Sequence, residues 1–260
     1  MTAKCIFRQA HSELGEIQVW DDDDIRRLCF DDVIIQSEIY LSDPAVLPNV
    51  VNRAMLAHLM FVDTTSSVLL AGCGGGAIAR WFHARAPKIQ GKAIELSTDI
   101  AEIALKHFDF PRENWQIITR DIRDYFAEKN ELHDFILVDM EEQQWSPEWI
   151  VSEDFLEACH DHLSAQGVLT LNLICRHKRQ FKQALKNIRR TFPEGSLCLH
   201  NKGHDNILVM AFRQKPDISN LDEKAKKAAK EWGLEFGRFL KAIRQDNPEM
   251  GGLSPAPKDR

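Results

Sequence analysis

The sequence predicts an α/β fold: a mainly parallel seven-stranded sheet, an antiparallel hairpin at its C-terminal end and a small β region ahead of it. Three observations predict it. Strand-like and helix-like patterns alternate from residue 68 to residue 191, the signature of a parallel sheet with helices on both faces. A glycine-rich turn, Gly72-Cys-Gly-Gly-Gly-Ala77, links the first of those strands to its helix. The last two strands, 196–200 and 207–212, stand only a few residues apart, which suits a hairpin and leaves no room for a crossover.

Each element follows from its local pattern. Residues 17–20, 27–30 and 33–36 cluster apolar side chains and read as short strands, with acidic turns at Asp21–Asp24 and Asp31-Asp32. Nothing near the four aspartates supplies metal ligands at fixed spacing, so they read as a solvated turn. Residues 49–61 read as a helix with Val50, Ala54, Leu56, Ala57 and Met60 on one face. Strands at 68–71, 92–94, 116–119, 135–138 and 168–173 then alternate with helices at 77–85, 98–107, 122–127, 153–162 and 178–191. Residues 221–243 read as one amphipathic helical stretch, and 251–260 as a disordered end. The expected division is an N-terminal β region (1–48), a nucleoside-binding domain (49–216) and a helical tail (217–260).

Composition narrows the function. A net charge of −6 disfavours a general nucleic-acid surface, although Arg176-His-Lys-Arg179 is locally basic. No stretch approaches the ~20 apolar residues needed to span a membrane, and the N-terminus has no secretory apolar core. The six cysteines are scattered without a CxxC pair, so neither a disulfide framework nor a metal site is expected. A cytoplasmic location follows. Cys73 reads as a small filler, because no base stands near it in the sequence.

The chemistry concentrates after the first core strand. Gly72, Gly74 and Gly76 let the backbone bend and let a ligand approach closely, and the helix behind them begins with free N–H groups. Glu95 ends the next strand, about 20 residues on, where an acidic side chain meets a ribose diol in nucleoside sites. Asp121 follows the third strand; it can accept from an adenine amino group, cap the helix at Ile122, or do both. Asp139 ends the strand 135–138, at the carboxyl edge where open α/β sheets bind ligands. The glycine loop formally matches the G-x-G-x-x-G/A fingerprint of NAD sites. Asp121, Asp139 and the closing hairpin favour an adenosyl-sulfonium ligand and a methyltransferase-like (Rossmann-like) fold.

From about Gly15 to Phe212 the chain resembles the spermidine/spermine synthase (polyamine aminopropyltransferase) family. The resemblance rests on Val33-Ile-Ile-Gln36 for the family's D-G-V-x-Q strand, Met55-Leu-Ala-His58, the glycine loop, Ile94-Glu-Leu-Ser97 for V-E-I-D, Leu137-Val-Asp139, Ser152-Glu-Asp-Phe155 and Ala165-Gln-Gly-Val168. It implies transfer of an aminopropyl group from decarboxylated S-adenosylmethionine to a polyamine-type small-molecule amine, without a metal, in a homodimer that meets through its N-terminal β region. It implies nucleoside contacts at Gln36, Gly72, Gly74, Gly75, Glu95 and Asp121, and catalytic carboxylates at Asp139 and Glu142. S-adenosylmethionine itself is the alternative co-substrate, in a methyltransferase or in a nucleoside-binding relative without turnover.

Three departures stand out. The family's glycine loop carries an Asp where this chain has Gly75, and that Asp holds the aminopropyl ammonium. Losing such a charge-assisted contact is worth ~1.5–3 kcal/mol. An aromatic-His/Gln-Glu triplet is replaced by Asn52-Arg53-Ala54, where Arg53 would repel a ligand ammonium. The D-S-S/T-D-P loop reads Asp139-Met-Glu-Glu142-Gln143. Trp145 and Trp149 follow it, placed either to wall an aliphatic acceptor or to anchor the loop. These departures lead to the expectation of an altered nucleoside tail, one carrying a carboxylate, or of a different acceptor.

Overall fold

The computed structural model describes residues 3–11, 14–31, 34–62, 65–142 and 144–248. Four N-terminal strands, β1 (Lys4–His11), β2 (Gly15–Asp22), β3 (Ile25–Phe30) and β4 (Ile34–Tyr40), form one antiparallel sheet in sequence order. Helix α1 (Val50–Met55) runs into a 3-10 turn (Leu56–Met60). Then follow β5 (Ser67–Ala71), α2 (Ala77–Arg85), β6 (Gln90–Glu95), α3 (Thr98–His107), β7 (Trp115–Thr119), α4 (Ile122–Glu128), β8 (His133–Val138), α5 (Glu153–Asp161), β9 (Leu163–Ile174), α6 (Lys178–Thr191), β10 (Ser196–His200), β11 (Asn206–Phe212), α7 (Leu221–Trp232) and α8 (Phe236–Asp246). Strands β5 to β11 make a seven-stranded sheet in the order β10-β11-β9-β8-β5-β6-β7. The β10–β11 and β11–β9 pairs are antiparallel, and β5–β8, β8–β9 and β6–β7 are parallel. This is the expected seven-stranded, hairpin-closed sheet with its N-terminal β extension.

The chain divides into two compact units, 1–52 with 72–122, and 53–71 with 123–260. In the first unit Ile17, Val19, Leu28 and Ile39 of the N-terminal sheet share a core with Ile100, Ile103 and Phe108. α3 is amphipathic and starts at a Ser97 cap, whose side chain accepts the Ile100 N–H. The second unit buries the apolar runs of β8 and β9 and the faces of α7 and α8. Asn247 ties α8's end to β10, donating to Cys198 O (2.8 Å) and accepting Cys198 N–H (3.0 Å).

Several local expectations change. β1 is a full strand paired along β2, although its sequence showed no alternation. Of the four aspartates, Asp21 and Asp22 belong to β2 and pair with Arg26 (2.6 Å) and Arg27 (2.7 Å) across the hairpin. Asp23 turns the chain at φ 52°, and Asp24 receives the Ser42 N–H (2.8 Å) and hydroxyl (2.5 Å). Residues 54–60 are buried all round rather than on one face. The 221–243 stretch is two helices, broken where Gly233 closes α7 at φ 71°: an amphipathic pattern runs on through a C-cap glycine. Asp32 and Val33, Gln143 and the 251–260 end lie outside the described residues. Among the described residues no helix is long and apolar enough to cross a membrane.

Candidate functional site

Within the first unit the glycine loop is fixed at both ends. Gly72 N–H donates to Ile94 O (2.9 Å), and Gly76 N–H donates to Cys73 O (2.9 Å). Gly74 (φ 49°) and Gly76 (φ 73°) are left-handed, and a Cβ on them would stand 2.7 Å from Ser37 Oγ and 2.5 Å from Phe110. Both positions therefore need glycine.

Gly75 has no such φ, but a Cβ there would meet Phe108 Cδ1 and Ser37 Cβ at 2.9 Å. Its N–H donates to Ser37 Oγ (2.8 Å), and its carbonyl accepts from Arg80 Nη1. Arg80 is 4% exposed and also reaches Phe108 O (2.6 Å) and Pro44 O (3.2 Å); burial brings its pKa down to about 10. Ser37 and Phe108 thus occupy the space that a side chain at Gly75 would enter.

Glu95 faces this loop. Its Oε2 accepts Cys73 N–H and its Oε1 accepts Ser97 N–H, both at 3.0 Å. The residue is half-buried, and desolvation raises its carboxyl while the N–H groups of Ser97, Cys73, Gly74 and Leu96 pull it back. A carboxylate has about four lone-pair positions, and these four N–H groups address them, so a diol would compete with them for the carboxylate. The Cys73 thiol is pushed well up by burial and by Glu95, which keeps it protonated and unsuited to nucleophilic work.

Gln36 is the extra residue of a β-bulge: Leu28 faces Ser37 and Cys29 faces Ile35, which leaves Gln36 unpaired. Bulges re-aim side chains beside functional sites, and no residue pattern signals this one. Asp121 directly precedes α4, after Arg120, whose N–H binds Glu95 O (2.9 Å). The first unit therefore brings the glycine loop and Glu95 into contact, sets Gln36 beside Ser37 and Gly74, and places Asp121 at the adjoining strand end.

The second unit carries the other carboxylates. Asp139 follows β8, and its N–H donates to Ala71 O (2.9 Å), the last residue before the loop. Solvent reaches Asp139, yet protein walls its carboxyl closely enough that desolvation raises its pKa against the stabilising Asn172 amide. Asn172 Nδ2 donates to Oδ1 at 2.8 Å. Burial also raises Glu141, with the Asp139 charge adding to it. Glu142 is exposed and closes a tight turn with Trp145 through N–H···O bonds of 2.8 and 3.0 Å. The Asp139 charge is thus felt at Glu141, one residue before the motif's Glu142.

The departures resolve differently. Arg53 binds Glu235 (2.9 Å), an acidic partner that offsets its charge. The partner stands 182 positions away in sequence. Arg123 lies 4.6 Å over the Trp149 ring and Arg176 5.8 Å from the Trp145 ring. His58 is fully buried, 3.9 Å from the Phe135 ring under β8, with Nδ1 on Met55 O (2.8 Å). Among the described residues no group of three or more metal-ligating side chains is found.

The polyamine aminopropyltransferase of Chromobacterium violaceum is 30% identical over 250 residues, covering 94% of this chain and 95% of that protein. The chain belongs to the polyamine aminopropyltransferase family. The Neisseria meningitidis aminopropyltransferase matches equally, at 30% over 251 residues, 94% of this chain and 95% of its own length. A Drosophila melanogaster eEF1A lysine and N-terminal methyltransferase homolog is 22% identical over 76% of this chain and 30% of that protein. No family model matches the chain. In fold, this aminopropyltransferase relative superposes on a probable spermidine synthase from Corynebacterium glutamicum with TM-score 0.75 at 21% identity, covering 89% of this chain and 87% of that one. Human methyltransferase-like protein 13, solved with SAH, gives 0.63 at 23% identity, covering 73% and 91%. Both support a methyltransferase-like fold.

Proposed function

We propose that this chain transfers an aminopropyl group from decarboxylated S-adenosylmethionine to a polyamine-type amine. The observation that carries the reading is Asp139, a solvent-reached carboxylate raised by desolvation and held by one neutral amide. Such a group is suited to take a proton from a substrate ammonium. The freed amine then attacks the carbon next to the sulfonium, and the C–S bond breaks to leave a neutral thioether. Positioning supplies most of the acceleration, because the leaving group needs no activation. Glu95 would accept the ribose hydroxyls, Asp121 the adenine amino group, and Gln36, Gly72, Gly74 and Gly75 would line the nucleoside. Glu142 is the motif's second acceptor carboxylate, and Glu141 joins it as a candidate. The reading includes a cytoplasmic homodimer.

A second reading, methyl transfer from S-adenosylmethionine, is favoured by Gly75. Without its Asp, and with Phe108 and Ser37 filling the space a Cβ would need, the loop offers no carboxylate to an aminopropyl ammonium. A carboxylated tail then loses its main penalty. Incubation with each nucleoside and a linear diamine decides the matter. Methylthioadenosine as product supports aminopropyl transfer, adenosylhomocysteine supports methyl transfer, and neither product overturns both.

A further inference from the structure

A polar chain stands behind Asp139 that the proposed chemistry does not by itself require. Asn206, at the start of β11, donates from Nδ2 to Asn172 Oδ1 (3.0 Å), and Asn172 donates from its own Nδ2 to Asp139 Oδ1 (2.8 Å). The two asparagines are diagonal neighbours on one face, since Asn206 pairs with Ile174 and Leu208 with Asn172. Ser146 anchors the same stretch: its hydroxyl donates to Asn172 O (3.2 Å) and accepts the Ile174 N–H (2.8 Å). Asn172 and Ser146 are buried.

The polarity of this chain is fixed by its last member. An ionised carboxylate only accepts, so Asn172 must present its NH2 to Asp139. Its carbonyl oxygen is then left for Asn206, which must present its own NH2. An amide engaged at both ends cannot turn over without losing two hydrogen bonds.

We infer that Asn172 and Asn206 are positioning residues for Asp139, holding Oδ1 as a permanent acceptor and reserving Oδ2 for the substrate's proton. The inference rests on the reading of Asp139 as the base. In the step, the substrate R–NH3+ gives a proton to Oδ2, and the amine lone pair forms the N–C bond. The C–S pair leaves on sulfur, so the products are a secondary ammonium, a thioether and a protonated Asp139 that returns its proton to solvent. Asn172 opposes protonation at Oδ1, because its NH2 would face an O–H. The Asp139 charge in turn acts on Glu141 of the following loop, raising its carboxyl beyond what burial does.

The test uses full-length protein with 13C-labelled aspartate, the Asp139 resonance being assigned with Asp139→Asn. Asn172→Leu and Asn206→Leu remove the two donors at similar volume. Both are expected to raise the Asp139 titration, Asn172→Leu more, and to carry the acid limb of kcat/KM upward with it. For Asn206→Leu, kcat is expected to fall about tenfold with the nucleoside KM unchanged. If Asn172→Leu does not fold, the half-buried Asn206 decides alone. An unmoved Asp139 titration in folded Asn206→Leu overturns the relay. A wild-type chain without transferase activity overturns the functional reading instead, while the carboxyl titration still decides the relay.

Discussion

Glu95 and Asp139 are both strand-end carboxylates that solvent reaches and that desolvation raises, yet they are held in different ways. Glu95 is held by backbone N–H groups of its own turn and of the glycine loop. Asp139 receives one side-chain amide. Fixed backbone donors keep a carboxylate ionised and aimed, which suits recognition of hydroxyls. A single neutral donor opposes burial less, which suits a group that must gain and lose a proton. On the proposed reading, the first carboxylate suits binding and the second suits a base.

The largest expected effect separates the two. Asp139→Asn should lower kcat by about a thousandfold while nucleoside affinity stays within about twofold, measured by single-turnover transfer and by calorimetry. A comparable loss in affinity would make Asp139 a binding group like Glu95. Next comes His58 beneath β8, whose pKa burial lowers to about 3. Its unfolded form protonates near the ordinary 6.5, and the folded form does not until about 3. Stability through this group is full above 6.5 and falls as pH drops from 6.5 towards 3, by as much as ~4 kcal/mol. Urea unfolding across that range should show the slope, and His58→Leu should flatten it.

Glu95→Gln should weaken binding of methylthioadenosine by about ten- to a hundredfold, with a smaller change in kcat, since it spoils a charge-assisted acceptor. Gly75→Asp should not restore a preference for the decarboxylated nucleoside. The new Cβ meets Phe108 and Ser37, so thermal melting should show a loss of about 1–3 kcal/mol; pairing it with Phe108→Leu should recover part of that. The smallest effect is expected at Arg53→Met, about 0.2–1 kcal/mol, because the Arg53–Glu235 pair is partly exposed.

The sequence exposed the parts of this fold that depend on local pattern. The bounds of α2, α3 and α6 agree to the residue with the spacing of apolar positions and caps, and the glycine loop meets Glu95 as their separation suggested. Features set by contacts between distant residues were not legible. Arg53 finds Glu235 across the chain. Ser37 lies under Gly75 because β4 passes there. The Gln36 bulge exists only in the pairing of two strands. The effect of the Asp139 charge on Glu141 depends on the path of the loop after β8. β1 lies in the expected N-terminal β region, but its bounds were not legible because its residues are mostly half-buried or exposed and show no alternation.

The most direct test of Asp139 as the base is the pH dependence of single-turnover transfer, in wild type and in Asp139→Asn. Because the carboxylate must be ionised to accept a proton, the wild-type rate should rise with pH through a limb above the ordinary carboxylate range. That limb should be absent from the residual rate of Asp139→Asn. The same limb in both proteins would contradict the account.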